Sequence, residues 1–174
     1  MFPRALLLGV LLAACGPAAE TKSVAAQAPE PSAAPLVDTL FEGGTCYLAT
    51  FDAAALAARE GQTVVTFLVV DPGADVRALD TEERKHVGFA FQIAEDADIY
   101  TGYGACTRAP GAASCYIEGD GGEFALTPTD AGLRVAITRM EVEGPERISP
   151  DLAAAPANRI LDLARGSGTD CMID

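Results

Sequence analysis

Apolar and polar positions alternate through the middle of the chain. Val87, Phe89, Phe91 and Ile93 are interleaved with Gly88, Ala90 and Gln92. A period of two is the signature of a strand with one buried side. Thr63 to Val70 (TVVTFLVV) is a continuous β-branched apolar run, which predicts a buried strand. Ile99 to Cys106, Cys115 to Gly119 and Leu133 to Val142 extend the series, the last with Leu133, Val135 and Ile137 on one face. Turn residues separate these runs: Asp71-Pro72-Gly73, Ala109-Pro110-Gly111-Ala112, Asp120-Gly121 and Asp130-Ala131-Gly132. A hairpin centred on Pro110-Gly111 sets Cys106 directly opposite Cys115. A type I′ turn at Asp120-Gly121 sets Ile117 opposite Phe124 and Cys115 opposite Leu126, all on one face.

Three stretches carry helical signals instead. Phe51 to Gly61 has Asp52 to cap it and Gly61 to end it. Leu79 to His86 (LDTEERKH) reads as a short polar helix. Asn158 to Arg165 places Ile160, Leu161 and Ala164 at helical spacing before Gly166. The predicted fold is mainly β with short helices (α+β): a small antiparallel β sandwich or barrel in meander order, with five or six strands and the last helix as cover.

The N-terminus has a different character. Met1 to Cys15 reads MFPRALLLGVLLAAC: one early arginine, an apolar stretch too short to span a bilayer, small residues, then a cysteine. Leu12-Ala13-Ala14-Cys15 resembles the lipobox of bacterial lipoproteins. The resemblance implies cleavage before Cys15, acylation of its thiol and amine, and an anchor of several acyl chains. Gly16, rather than Asp, at the next position implies sorting to the outer membrane in that family. Gly16 to Leu36 follows, with Ala or Pro at 11 of its 21 positions and no aromatic residue. That composition predicts an extended spacer. The chain therefore divides into a signal peptide (1–14), a lipidated Cys15 with an Ala/Pro-rich tether (15–36) and one β-rich domain (37–174).

Charge narrows the partners. The chain carries 12 Lys+Arg against 25 Asp+Glu, a formal charge of −13. All of it belongs to residues 37–174, because the two basic and two acidic residues before them cancel. Such a domain repels nucleic acid and suits a basic protein or a cation. Beyond Cys15 four cysteines remain. In an exported chain an even number reads as two disulfides. Hairpin geometry selects Cys106 with Cys115, which leaves Cys46 for Cys171. Zinc is the alternative use of the four, but no CxxC spacing supports it.

Candidate chemistry is sparse. The one histidine, His86, falls in the charged TEERKH stretch, and no GxSxG motif accompanies any serine. Glu95, Asp96 and Asp98 cluster in a loop between two strands, the better of two acidic turns for Ca²⁺; the other holds Glu118, Asp120 and Glu123. Neither follows the EF-hand pattern. Tyr100, Tyr103 and Tyr116 gather near the Cys106–Cys115 hairpin among small residues, the composition of a recognition patch. Together these features favour a membrane-anchored envelope lipoprotein with a non-enzymatic acidic binding domain. A carboxylate- or metal-dependent periplasmic hydrolase and a structural subunit of an envelope complex are the alternatives.

Overall fold

The computed structural model describes residues 36–173; the predicted signal, Cys15 and the spacer up to residue 35 lie outside them. Eight antiparallel strands close into a barrel in sequence order: β1 (Thr45–Thr50), β2 (Val64–Val70), β3 (Arg84–Ile93), β4 (Ile99–Ala109), β5 (Ala112–Ile117), β6 (Gly122–Thr129), β7 (Gly132–Met140) and β8 (Ile160–Ser167). Short helices α1 (Leu36–Leu40), α2 (Ala53–Ala58) and α3 (Ala74–Arg77) and several 3-10 turns decorate it. The meander order and the mainly β class agree with the sequence pattern. Asp52 caps α2, accepting a hydrogen bond from the Ala55 N–H at 2.8 Å.

One expected helix is a strand, and another is a turn that runs into a strand. Residues 160–165 form most of β8, not a covering helix. Leu161 and Leu163 are buried while Ile160, Asp162 and Ala164 face out, so the operative period is two. β8 pairs with β7 on one side and with β1 on the other, Cys46 opposite Gly166 and Tyr47 opposite Arg165. A helix there would leave two unpaired sheet edges. β1 itself shows the same alternation, with Tyr47 and Ala49 in the core cluster and Cys46 and Leu48 outside it. The second correction falls on Leu79 to His86. Only Ala74–Arg77 makes a helical turn. Thr81 then turns the chain, its N–H donating to Arg84 O and its Oγ accepting from the Arg84 N–H. Arg84, Lys85 and His86 enter β3 opposite Thr107, Cys106 and Ala105.

Hairpin registers decide which side chains meet. Cys106 stands opposite Cys115 and is bridged to it, with the Cα atoms 3.9 Å apart. The next hairpin lies two residues from the expected register: Cys115 is opposite Phe124, and Ile117 is opposite Gly122. Its turn centres on Gly119-Asp120, with φ of 71° and 65°, where a type I′ turn needs both central residues positive. A shift of two keeps every side chain on its original face. Ile117, Phe124 and Leu126 accordingly remain buried.

Side chains fill the barrel, as eight strands allow. Phe91 stacks on Tyr100 with centroids 5.2 Å apart, and Phe89 meets Phe124 edge-on at 5.8 Å. Gly102 and Gly104 make room for these rings. A Cβ on Gly104 would stand 2.6 Å from Phe124 Cζ, and one on Gly102 2.8 Å from Phe89 Cζ. At one end Leu40 of α1 closes the core, held by the Tyr47 hydroxyl donating to Leu40 O. At the other, Leu152 plugs the core and the fully buried Asn158 ties the crossover to β2, its Oδ1 accepting from the Thr63 and Val64 N–H groups. Outside the wall, Cys46–Cys171 holds the C-terminal turn over Leu68 and Ala90.

Gly104→Ala will lower stability by about 1–3 kcal/mol, the usual cost of overpacking, in urea unfolding. Adding Phe124→Leu to that variant will recover part of the loss. Replacing Cys46 and Cys171 together by Ser opens a loop with a sequence separation of 125. By loop-closure entropy this will cost about 4 kcal/mol, read as a lower thermal midpoint.

Candidate functional site

Strand register builds one outer face across β3 to β6. His86 is opposite Ala105, Ala105 is opposite Tyr116, and Tyr116 is opposite Glu123. One outward position further along, Gly88 is opposite Tyr103. The two tyrosines therefore rise from a wall whose neighbouring positions, Gly88 beside Tyr103 and Ala105 beside Tyr116, are small. Tyr103 is 55% exposed and Tyr116 37%. The Tyr116 hydroxyl accepts a hydrogen bond from the Arg84 guanidinium at 2.9 Å, which fixes the ring's polar end. Beside Tyr116 a groove of about 680 Å³ runs past Glu118, Asp120 and Glu123 to Arg139. Arg139 is already paired with Glu141 at 2.8 Å. The groove thus sets the Tyr116 ring among the carboxylates of Glu118, Asp120 and Glu123.

Tyr100, the third tyrosine of the expected patch, is elsewhere. It points into the barrel, fully buried, because it shares the inward parity of Gly102 and Gly104. Its hydroxyl donates to Asp96 Oδ2 at 2.6 Å, and Arg147 reaches the same oxygen at 2.9 Å. The other oxygen, Oδ1, accepts from the Asp98 N–H. The Tyr100 hydrogen bond, then the Asp98 N–H, then Arg147 hold the Asp96 carboxyl below its ordinary range. The same bond, with burial, pushes the Tyr100 phenol up. The trio latches the segment after β7 onto the barrel end. Gly144 is needed for that approach, since a Cβ there would lie 2.5 Å from the Tyr100 ring.

Asp96 is therefore spent on protein partners, and the structure does not gather Glu95, Asp96 and Asp98 into a ligand set. Among the described residues no group of three or more His, Cys, Asp or Glu side chains is placed to hold a metal ion.

His86 is the residue that the sequence reading placed wrongly. It lies in β3, not in a charged helix, and is 7% exposed. The Nδ1 of its ring lies 2.8 Å from Asp80 Oδ1, and that oxygen also accepts the His86 backbone N–H at 2.9 Å. The ring is thus oriented by a carboxylate. The missed signal was Asp80 placed just before the turn into β3, which is informative only once β3 is known to begin at Arg84.

Comparison with protein families, with curated proteins and with solved structures finds no match for this chain.

Because the Asp96 carboxyl is depressed in the folded state, its contribution to stability is complete above the ordinary carboxylate range. It is lost as pH falls through the depressed value. Asp96→Asn will therefore be less stable than the wild type at neutral pH, and the gap will close in strongly acidic solution. Urea unfolding across that range checks it; a gap independent of pH would exclude the latch as an ionic one.

Proposed function

We propose that the chain is a membrane-anchored lipoprotein of the bacterial envelope, whose acidic barrel acts as a non-enzymatic binding domain for a basic protein. The lipobox at Leu12-Ala13-Ala14-Cys15 supports the anchor. The formal charge of −13, all of it in residues 37–174, supports the class of partner. The single observation that carries the reading is the outer face of β4 to β6, with exposed Tyr103 and Tyr116 bordered by Glu118, Asp120 and Glu123. Tyrosine offers large contact area at low conformational cost and keeps a polar tip for hydrogen bonds. Carboxylates around it steer a basic surface in and repel acidic competitors. Such a contact associates quickly at low salt and weakens as ions screen it.

The anchor is tested by mass spectrometry of the membrane fraction, where the mature chain will begin at Cys15 and carry acyl groups. An unacylated N-terminus contradicts it. Binding is tested by surface plasmon resonance of the mature protein against a panel of basic host and envelope proteins at low and high salt. A salt-sensitive partner is expected, with its affinity reduced at least tenfold by Tyr103→Ala combined with Tyr116→Ala, the loss of about 1.4 kcal/mol or more expected of interface aromatics. Binding that ignores both salt and the tyrosines would contradict the reading.

A further inference from the structure

Phe67, Val69, Phe89 and Phe91 point into the barrel, so Leu68 and Ala90 between them point out. Both are nonetheless buried, 4% and 8% exposed. They stand opposite each other across β2 and β3, and Leu48 of β1 is opposite Leu68 on its other side. What shields this outer patch is the chain's own C-terminus. After β8, Gly168 turns the chain with a φ of 59°. Residues 168–171 make one 3-10 turn, and Cys171 and Ile173 pack against the cluster of Cys46, Leu68 and Ala90. Gly166 permits the return, because a Cβ there would stand 3.2 Å from Cys46 Sγ and 3.1 Å from Asp170 Cβ.

One covalent bond ties this strap to the wall. The capping box of Ser167 and Asp170 lies within the strap and shapes it without holding it down. Among the described residues no backbone hydrogen bond joins 168–173 to β1 or β2. The tie is Cys46–Cys171. The two disulfides differ in access. Cys106 and Cys115 belong to the barrel core, 2% and 1% exposed. Cys46 is fully buried, but Cys171 is half-buried at the surface. An incoming thiolate therefore reaches Cys171 Sγ before any other disulfide sulfur, and access governs which sulfur is attacked.

We propose that Cys46–Cys171 is a site of thiol–disulfide exchange with a protein dithiol, and that opening it releases the strap from the outer wall. One thiolate of the dithiol attacks Cys171 Sγ. The Cys46–Cys171 bond breaks, and its electron pair leaves on the Cys46 sulfur, which takes a proton from water. The second thiol of the dithiol, deprotonated, then attacks the mixed disulfide and frees Cys171, which is protonated in turn. The dithiol ends as a disulfide, and Cys46 and Cys171 end as thiols. The ladder of β1 with β8 is untouched by these steps, so the barrel stays closed. The wall uncovered carries Leu48, Leu68 and Ala90. Ala90 is opposite Thr101, the next outward residue to Tyr103 along β4, so the uncovered wall adjoins the tyrosine face. The strap thus sets how much apolar wall that face offers to a partner. The exchange stands on the fold, and only the use of the uncovered wall rests on the proposed function.

The mature lipidated protein in detergent micelles would be treated with dithiothreitol, quenched by alkylation and mapped by mass spectrometry. Cys46 and Cys171 will be alkylated about tenfold or more faster than Cys106 and Cys115, as access to the sulfur requires. In methyl-labelled protein a soluble paramagnetic probe will broaden the Leu68 and Ala90 signals after reduction and spare them before it. The amides of β3 and β4 will keep their protection from exchange in both states. Cys171→Ser will show the broadened signals without dithiothreitol. Reduction of Cys106–Cys115 first or at an equal rate overturns the proposal. So does a Leu68–Ala90 patch that stays shielded once Cys46–Cys171 is open, or loss of β3 and β4 protection on opening. If the strap releases but no basic protein binds at Tyr103 and Tyr116, the exchange stands and the binding reading falls. If a basic protein binds there and the strap stays down after reduction, the reverse holds.

Discussion

The ladder between β1 and β8 turns a meander into a barrel, and the rest of the molecule follows from it. Thr45 to Leu48 pair with Ser167 to Ala164, which joins the first and last strands and removes both sheet edges. The ladder is reinforced from outside, where Cys46 of β1 is bridged to Cys171 just beyond β8. That bridge fixes the chain's end to the strand that most needs a neighbour. Without closure, the inward faces of β1 and β8, carrying Tyr47, Leu161 and Leu163, would lie at open margins instead of inside a shared core.

Closure also limits where a binding site can lie. An eight-stranded barrel has an interior that side chains either fill or leave just large enough for one small ligand. Here it is filled: Gly102 and Gly104 give up their side chains so that Phe89 and Phe124 can occupy the space. The ends are closed as well, by Leu40 on one side and by Leu152 with the Asp96–Tyr100–Arg147 latch on the other. The proposed recognition face is accordingly the outer wall, where Tyr103 and Tyr116 stand beside the small residue Ala105.

Much of this was legible from periodicity, and what was not has identifiable causes. β2, β3 and β7 announce themselves because their inward residues are large and apolar, whereas β4, with Gly102 and Gly104 on its inward side, is legible from its place before the Pro110-Gly111 turn. The Cys106–Cys115 bridge was readable because hairpin register follows directly from the turn. β8 was misread because Ile160 adds an apolar residue on the outer side, which blurs a period of two into helical spacing. β1 carries too short an alternation to stand out. Leu79 to His86 misled because charged residues with good helix propensity sit where a strand begins, and strand pairing with β4 overrides propensity. The tyrosines were found by composition, but only parity along β4 separates Tyr100 inside from Tyr103 outside. The His86–Asp80 pair was invisible for the same reason as the start of β3. Composition alone could not say that Asp96 is consumed by Tyr100 and Arg147.

The most direct measurement is an NMR search for cross-strand nuclear Overhauser contacts between β1 and β8, combined with amide exchange in both strands. Closure predicts contacts between the backbones of Cys46 and Gly166 and of Tyr47 and Arg165, with the ladder amides as protected as those of β3 and β4. A helical contact pattern across residues 160–165, with rapidly exchanging β1 amides, would contradict the barrel and with it the outer wall on which the functional reading rests.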